Sequence, residues 1–217
     1  MPADHQERRD NMTAANIVTP IPLFTASLRL TAIPAAVAYS RTFVRHTLTR
    51  WQLEEHADTT TLIMSELVTN AVKVSGITDL KPKPWQIKPE HVIGIQLRAI
   101  GASLYTEVWD RMETAPTQKN PTLEETSGRG LLLVDELAEQ WNVYRSPFGG
   151  KVVWAELPIG APVETSSFNQ LHPPIVLPTG IQASRGPVED QARTALFDHL
   201  LETTLSAMAA SRGNDAT

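Results

Sequence analysis

With 217 residues, 41% of them hydrophobic and 20% charged, the chain has the make-up of a globular protein holding one full domain plus extra segments. It contains no cysteine, which excludes disulfides, thiolate metal sites and a cysteine nucleophile, and makes a reducing cytoplasm the expected setting. A net charge of −5 lacks the basic surface that non-specific nucleic-acid binding needs, so no DNA partner is expected.

The opening stretch "MPADHQERRDNMTAANIVTP" is polar and has no apolar h-region, so residues 1–20 read as a disordered tail rather than a signal peptide. No apolar run approaches the ~20 residues that cross a bilayer, and no membrane partner is expected. Phe24 to Ile33 alternates as a strand, with Leu28 and Leu30 on one face. A helix follows, with Thr31 as its cap, Pro34 in its first turn, and Val37, Ser40, Val44 and Leu48 at helical spacing.

The spacing predicts a second helix from about Glu55 to Ser75, with Ile63, Leu67, Ala71 and Val74 as its apolar stripe and Gly76 as its stop. The proline-bearing "ITDLKPKPWQIKPE" reads as a long loop. Two strands, "HVIGIQLRAI" and "SLYTEVWD", are joined by a Gly101-Ala102 turn. After the polar segment 111–127, "GRGLLLVDELAEQW" reads as a glycine-led helix, and "WNVYRSP" with "KVVWAELP" as a closing hairpin around "FGG".

Hairpins between helices predict a mixed, mostly antiparallel sheet covered by helices on one face, a two-layer α/β sandwich over residues 21–158. Residues 159–186 read as a proline-rich linker, and 187–210 as a last helix with Val188, Ala192, Ala195 and Leu196, His199 and Leu200, and Leu205 on one side. That side is expected to cover the domain's own surface or a second copy in a homodimer.

Three features carry chemistry. Glu66 and Asn70 lie four residues apart on the second helix, so their side chains point the same way at the edge of the apolar stripe. A carboxylate there can act as general base and an amide oxygen can complete a magnesium shell; a solvated boundary pair fits the same spacing. Asp110 ends a strand, where a carboxylate can accept from an exocyclic amine such as that of adenine, or can open a loop by bonding its own backbone. Gly128 and Gly130 let backbone approach a ligand ahead of a helix N-terminus, with Arg129 between them adding charge; a glycine-rich turn with a solvated arginine is the alternative.

Taken in order, "SELVTNAV", "TEVWD", "GRGLLLVDELAEQW" and "GGKVVWAEL" resemble the GHKL ATPase superfamily, and within it the anti-sigma-factor serine kinase branch of small actinobacterial regulators. The resemblance spans about Leu23 to Leu157 and implies the Bergerat-type ATP-binding fold, with ATP and magnesium as ligands. It implies Glu66 as the residue activating the attacking hydroxyl, Asn70 as the magnesium ligand and Asp110 as the adenine reader. Gly128, Arg129 and Gly130 would form the phosphate-side loop, with Lys73 assisting. A sigma factor or an antagonist protein is the implied partner, and phosphorylation of the antagonist on serine or threonine the implied activity.

Two positions depart from the family pattern. Met112 stands where a glycine is usual, and Val152 where a threonine near the adenine is usual, so a polar contact is expected to be lost there. These departures favour a second reading, a nucleotide-gated protein-binding module with little or no catalysis. A sensor-histidine-kinase reading fits poorly, because His46 lacks an adjacent acidic residue, and the six histidines show no zinc-ligand spacing.

Overall fold

The computed structural model describes residues 23–114, 129–163 and 174–214. The expected tail over 1–20, most of the polar segment 111–127, Gly128 and the middle of the 159–186 linker lie outside the described residues. Five strands form the framework: β1 Leu23–Thr31, β2 Val92–Ile100, β3 Ser103–Asp110, β4 Gln140–Arg145 and β5 Lys151–Pro158. They join in one sheet of order β1-β2-β3-β5-β4, every neighbouring pair antiparallel. The helices are α1 Ala35–Arg50, α2 Ala57–Ser75, α3 Arg129–Leu137 and α4 Pro187–Asn214.

The first three helices lie on one face, giving the two-layer α/β sandwich. Ile93, Ile95, Leu97 and Ala99 of β2, with Leu104 and Val108 of β3, point into that layer and meet Phe43, Val44, Ile63, Leu67 and Val68. Strand side chains alternate between faces, so Val92, Trp109 and Val152 point the other way, and α4 closes over them with Ala192, Ala195 and Leu196. Covered on both faces, β2 is buried at all nine positions, which is why it reads as a nearly continuous apolar run.

A buried polar cluster is trapped under α4. Arg98 Nη2 donates to Glu107 Oε1 at 2.8 Å, Gln96 Nε2 donates to Glu107 Oε2 at 2.5 Å, and His199 Nδ1 lies 3.0 Å from Glu107 Oε1. Arg98 also stacks over the Tyr105 ring at 4.0 Å. Burial alone would push the Glu107 carboxyl up, but His199 and the Arg98 charge outweigh it and hold the group below its ordinary value.

Local boundaries differ from the sequence reading in instructive ways. Thr31 ends β1 instead of capping α1, and Pro34 takes the N-cap position. A 3-10 turn over Glu54–His56 precedes α2, and the buried side of α2 includes Met64 and Val72, whereas Val74 is 53% exposed. The third helix stops at Leu137, because Gln140–Arg145 is already paired to β5. In α4, Leu205 faces outward at 66% exposure, while His199 is buried with Leu200.

Candidate nucleotide site

The strands β3 and β5 end and begin at the same edge of the sheet, and α2 crosses above them. Register pairs Asp110 with Lys151 and Val108 with Val153, so both members of each pair face the helix layer. Between this sheet edge and α2 lies a cavity of about 400 Å³. Leu67, Asn70, Ala71 and Val74 come to it from α2, Leu131 from α3, and Met112 and Thr114 from the segment after β3. Mostly apolar walls with a few placed polar groups are what a planar organic ligand needs. They also explain Val74, an apolar side chain exposed because it lines an open cavity.

Asp110 is 2% exposed, and Lys151 is buried beside it. The Lys151 ammonium donates to Asp110 Oδ1 at 2.7 Å and to the Met112 carbonyl at 2.8 Å, while the Met112 N–H donates to Asp110 Oδ1 at 2.9 Å. Burial pushes the Asp110 carboxyl above its ordinary value; the hydrogen bond and charge of Lys151, with the Met112 N–H, pull in the other direction. The loop-opening geometry and the cavity placement therefore coexist at one aspartate.

Glu66 stands one turn before Asn70 on α2, half-buried. Its carboxylate lies against Gly130, the second residue of α3, where any Cβ would collide with Glu66 Oε2. Glycine leaves the Glu66 carboxylate room to lie against the start of α3; a larger residue would displace that flexible side chain. The backbone of Arg129 opens α3, and Gly128 lies outside the described residues.

Asn70 and Asp110 thus share the cavity wall, and Glu66 sits beside the start of α3. Lys73 is elsewhere on α2: it is exposed and lines a shallower depression of about 230 Å³ with Val37, Thr69 and Leu80. Val152 is elsewhere too. Its side chain is fully buried under α4 on the opposite face, so the contact expected to be lost at that position was never on the cavity side. An apolar residue stands there because α4 packs on it. Lys151, which carries no role in the sequence analysis, is the β5 residue that enters the cavity; the local signal is a cation directly after the Gly149-Gly150 turn, but its partner comes from a strand that is not its hairpin neighbour.

The family model for the histidine kinase-like ATPase domain matches residues 30–156, the stretch from the end of β1 through β5. The chain belongs to that family. One solved structure it resembles is that of the RsbU and RsbW domains of Rv1364c from Mycobacterium tuberculosis, at 18% identity and a TM-score of 0.40. That match covers 67% of this chain and 34% of the other, so the chain spans about a third of the solved protein's length. No curated protein matches. Among the described residues, no helix is long and apolar enough to cross a membrane.

Proposed function

We propose that this protein is an ATP-binding regulator of the anti-sigma-factor kinase type, which binds magnesium-ATP and transfers the terminal phosphoryl group to a serine or threonine of an antagonist protein. The observation carrying the proposal is the convergence of Asn70 and Asp110 on one cavity inside the family-matched segment, with Glu66 next to the start of α3.

The residues fit magnesium. Among the described residues there is no cluster of three or more histidine or carboxylate ligands, which is the donor set of an all-protein cage. Magnesium instead favours one or two protein oxygens completed by phosphate and water, and the Asn70 amide oxygen offers one on the cavity wall. Bound there with the triphosphate, the ion would neutralise developing phosphate charge.

The remaining roles belong to this chain's side chains. Asp110 holds the base end of the nucleotide, and the apolar wall of Leu67, Val74, Leu131 and Val153 excludes water from the ring. Glu66, kept over the start of α3 by Gly130, accepts the proton of the attacking hydroxyl. Phosphoryl transfer depends mostly on positioning and charge neutralisation, so few residues suffice. The partner is a sigma factor or its antagonist, and the location cytoplasmic, on the same reading.

The test pairs two variants. Asn70→Ala removes magnesium-dependent ATP binding, measured by equilibrium dialysis with labelled ATP, and leaves the fold intact. Glu66→Gln keeps that binding and abolishes labelling of protein serine or threonine by γ-labelled ATP in cell extract. Retained transfer in Glu66→Gln contradicts the base assignment. Wild-type protein that binds ATP but labels nothing leaves the second reading, a nucleotide-gated binding module.

A further inference from the structure

The cavity wall contains a lysine with unused hydrogen-bonding capacity. An ammonium has three N–H donors. In Lys151 two of them reach Asp110 Oδ1 and the Met112 carbonyl, at 2.7 and 2.8 Å, and no described residue accepts the third. Asp110 is its complement: Oδ1 accepts from Lys151 and from the Met112 N–H, and no described residue donates to Oδ2. Both side chains line the cavity, so a donor and an acceptor stand side by side there.

The pair is rigidly held. Asp110 and Lys151 are direct partners in the β3–β5 ladder. The turn leading into Lys151 is braced from behind, because Trp109 Nε1 donates to the Gly149 carbonyl at 3.2 Å and Gln191 of α4 donates to the Phe148 carbonyl. Electrostatics decide what such a pair suits. Lys151 is already neutralised by Asp110, so the two together offer little net charge to a phosphate. They match a neutral group that carries an acceptor next to a donor.

We propose that Lys151 is a base-reading residue: its third N–H donates to N1 of adenine while Asp110 Oδ2 accepts from the N6 amine. The proposal rests on the nucleotide reading above and deepens it, turning a single aspartate contact into a two-point reading of the adenine edge. Guanine and hypoxanthine carry a donor at N1 and an acceptor at position 6, so each would set donor against donor at Lys151 and acceptor against acceptor at Asp110. Such mismatches leave buried polar groups unpaired and discriminate strongly.

The experiment titrates the full chain with magnesium-ATP and with 1-deaza-ATP, in which N1 is replaced by C–H, in the wild type and in Lys151→Met. Wild-type protein is expected to bind 1-deaza-ATP at least about tenfold more weakly than ATP, the scale of a lost hydrogen bond from a charged donor. In Lys151→Met the two ligands are expected to bind equally, whatever the variant does to absolute affinity. Equal affinity for the two ligands in the wild type overturns the proposal without reference to any variant, so a Lys151→Met chain that fails to fold does not shield it. Equal tenfold gaps in wild type and variant also overturn it. Failure of the wild type to bind ATP at all is a separate result, which removes the nucleotide reading itself.

Discussion

Substituting Leu196 tests whether α4 is a structural part of this domain or a loosely attached appendage. Leu196 is 1% exposed and packs with Val92, Trp109 and Val152 on the sheet face away from the cavity. Its fit is close: a Cβ on Gly94 would come within 2.8 Å of Leu196 Cδ1. The flanking Ala192 and Ala195 are too small to fill a void, and β2 is fixed between two strands, so the site would collapse little. Leu→Ala in such a setting costs about 3 kcal/mol, within the usual range of roughly 2–5. For a chain of this size that lowers the melting temperature by about 6–12 °C. The assay is thermal unfolding followed by far-UV circular dichroism, with Phe197→Ala as control. Phe197 is the next residue and is 57% exposed, so its truncation should change stability by no more than about 0.5 kcal/mol. If Leu196→Ala melts with the wild type, or if both variants lose equally, α4 does not dock as described.

The cluster beneath α4 predicts a pH dependence. Glu107 is held below its ordinary value of 4.5, so the folded protein binds its proton less readily than the unfolded chain. Its stabilising contribution is therefore present above that ordinary value and lost as pH falls through the lower folded one. Glu107→Gln is expected to destabilise the protein at neutral pH by about 3–5 kcal/mol, because Arg98 is left buried without its carboxylate. The gap in urea midpoint between variant and wild type should narrow as pH falls below 4.5; a constant gap would show that Glu107 is not the group responsible. At the cavity, Gly130→Ala should affect catalysis more than folding. Alanine gains up to about 1 kcal/mol of helix propensity, which offsets the displacement of a flexible carboxylate. Glu66 would move, so phosphoryl transfer should fall while ATP affinity changes little. Equal loss of both would mean that Glu66 supports binding rather than transfer.

What could be read from the sequence was whatever depends on near neighbours. The β2–β3 hairpin follows from two apolar runs around Gly101-Ala102, and α2 follows from a 3.6-residue period between polar ends. The Glu66–Asn70 spacing on one helix is likewise local geometry. The features that escaped depend on distant partners. The facing of Val152 and Lys151 is set by the pairing of β5 with β3, two strands separated in sequence by α3 and β4, and a one-residue error in register exchanges the two faces. Val74 reads as a core residue because it is apolar at nearly the right spacing, yet its neighbour is a cavity. Glu107 and Arg98 carry no local signal of burial, since each reads as a surface residue until α4 covers them, whereas His199 falls beside Leu200 on the apolar side of α4 at helical spacing. The sequence extends α3 through "AEQW" because those residues have helix propensity, and the pairing of Gln140 and Trp141 with β5 overrides it.

The proposed function requires the cavity between α2 and the β3–β5 edge to hold the nucleotide. Isothermal titration calorimetry of the full chain with ATP, with and without magnesium, in the wild type and in Asp110→Asn tests this most directly. We expect one ATP per chain, tighter with magnesium, and a loss of at least about tenfold in Asp110→Asn as a charged acceptor becomes a neutral one. Binding that is indifferent to Asp110→Asn would place the nucleotide elsewhere, and no heat at millimolar ATP would contradict the nucleotide site altogether.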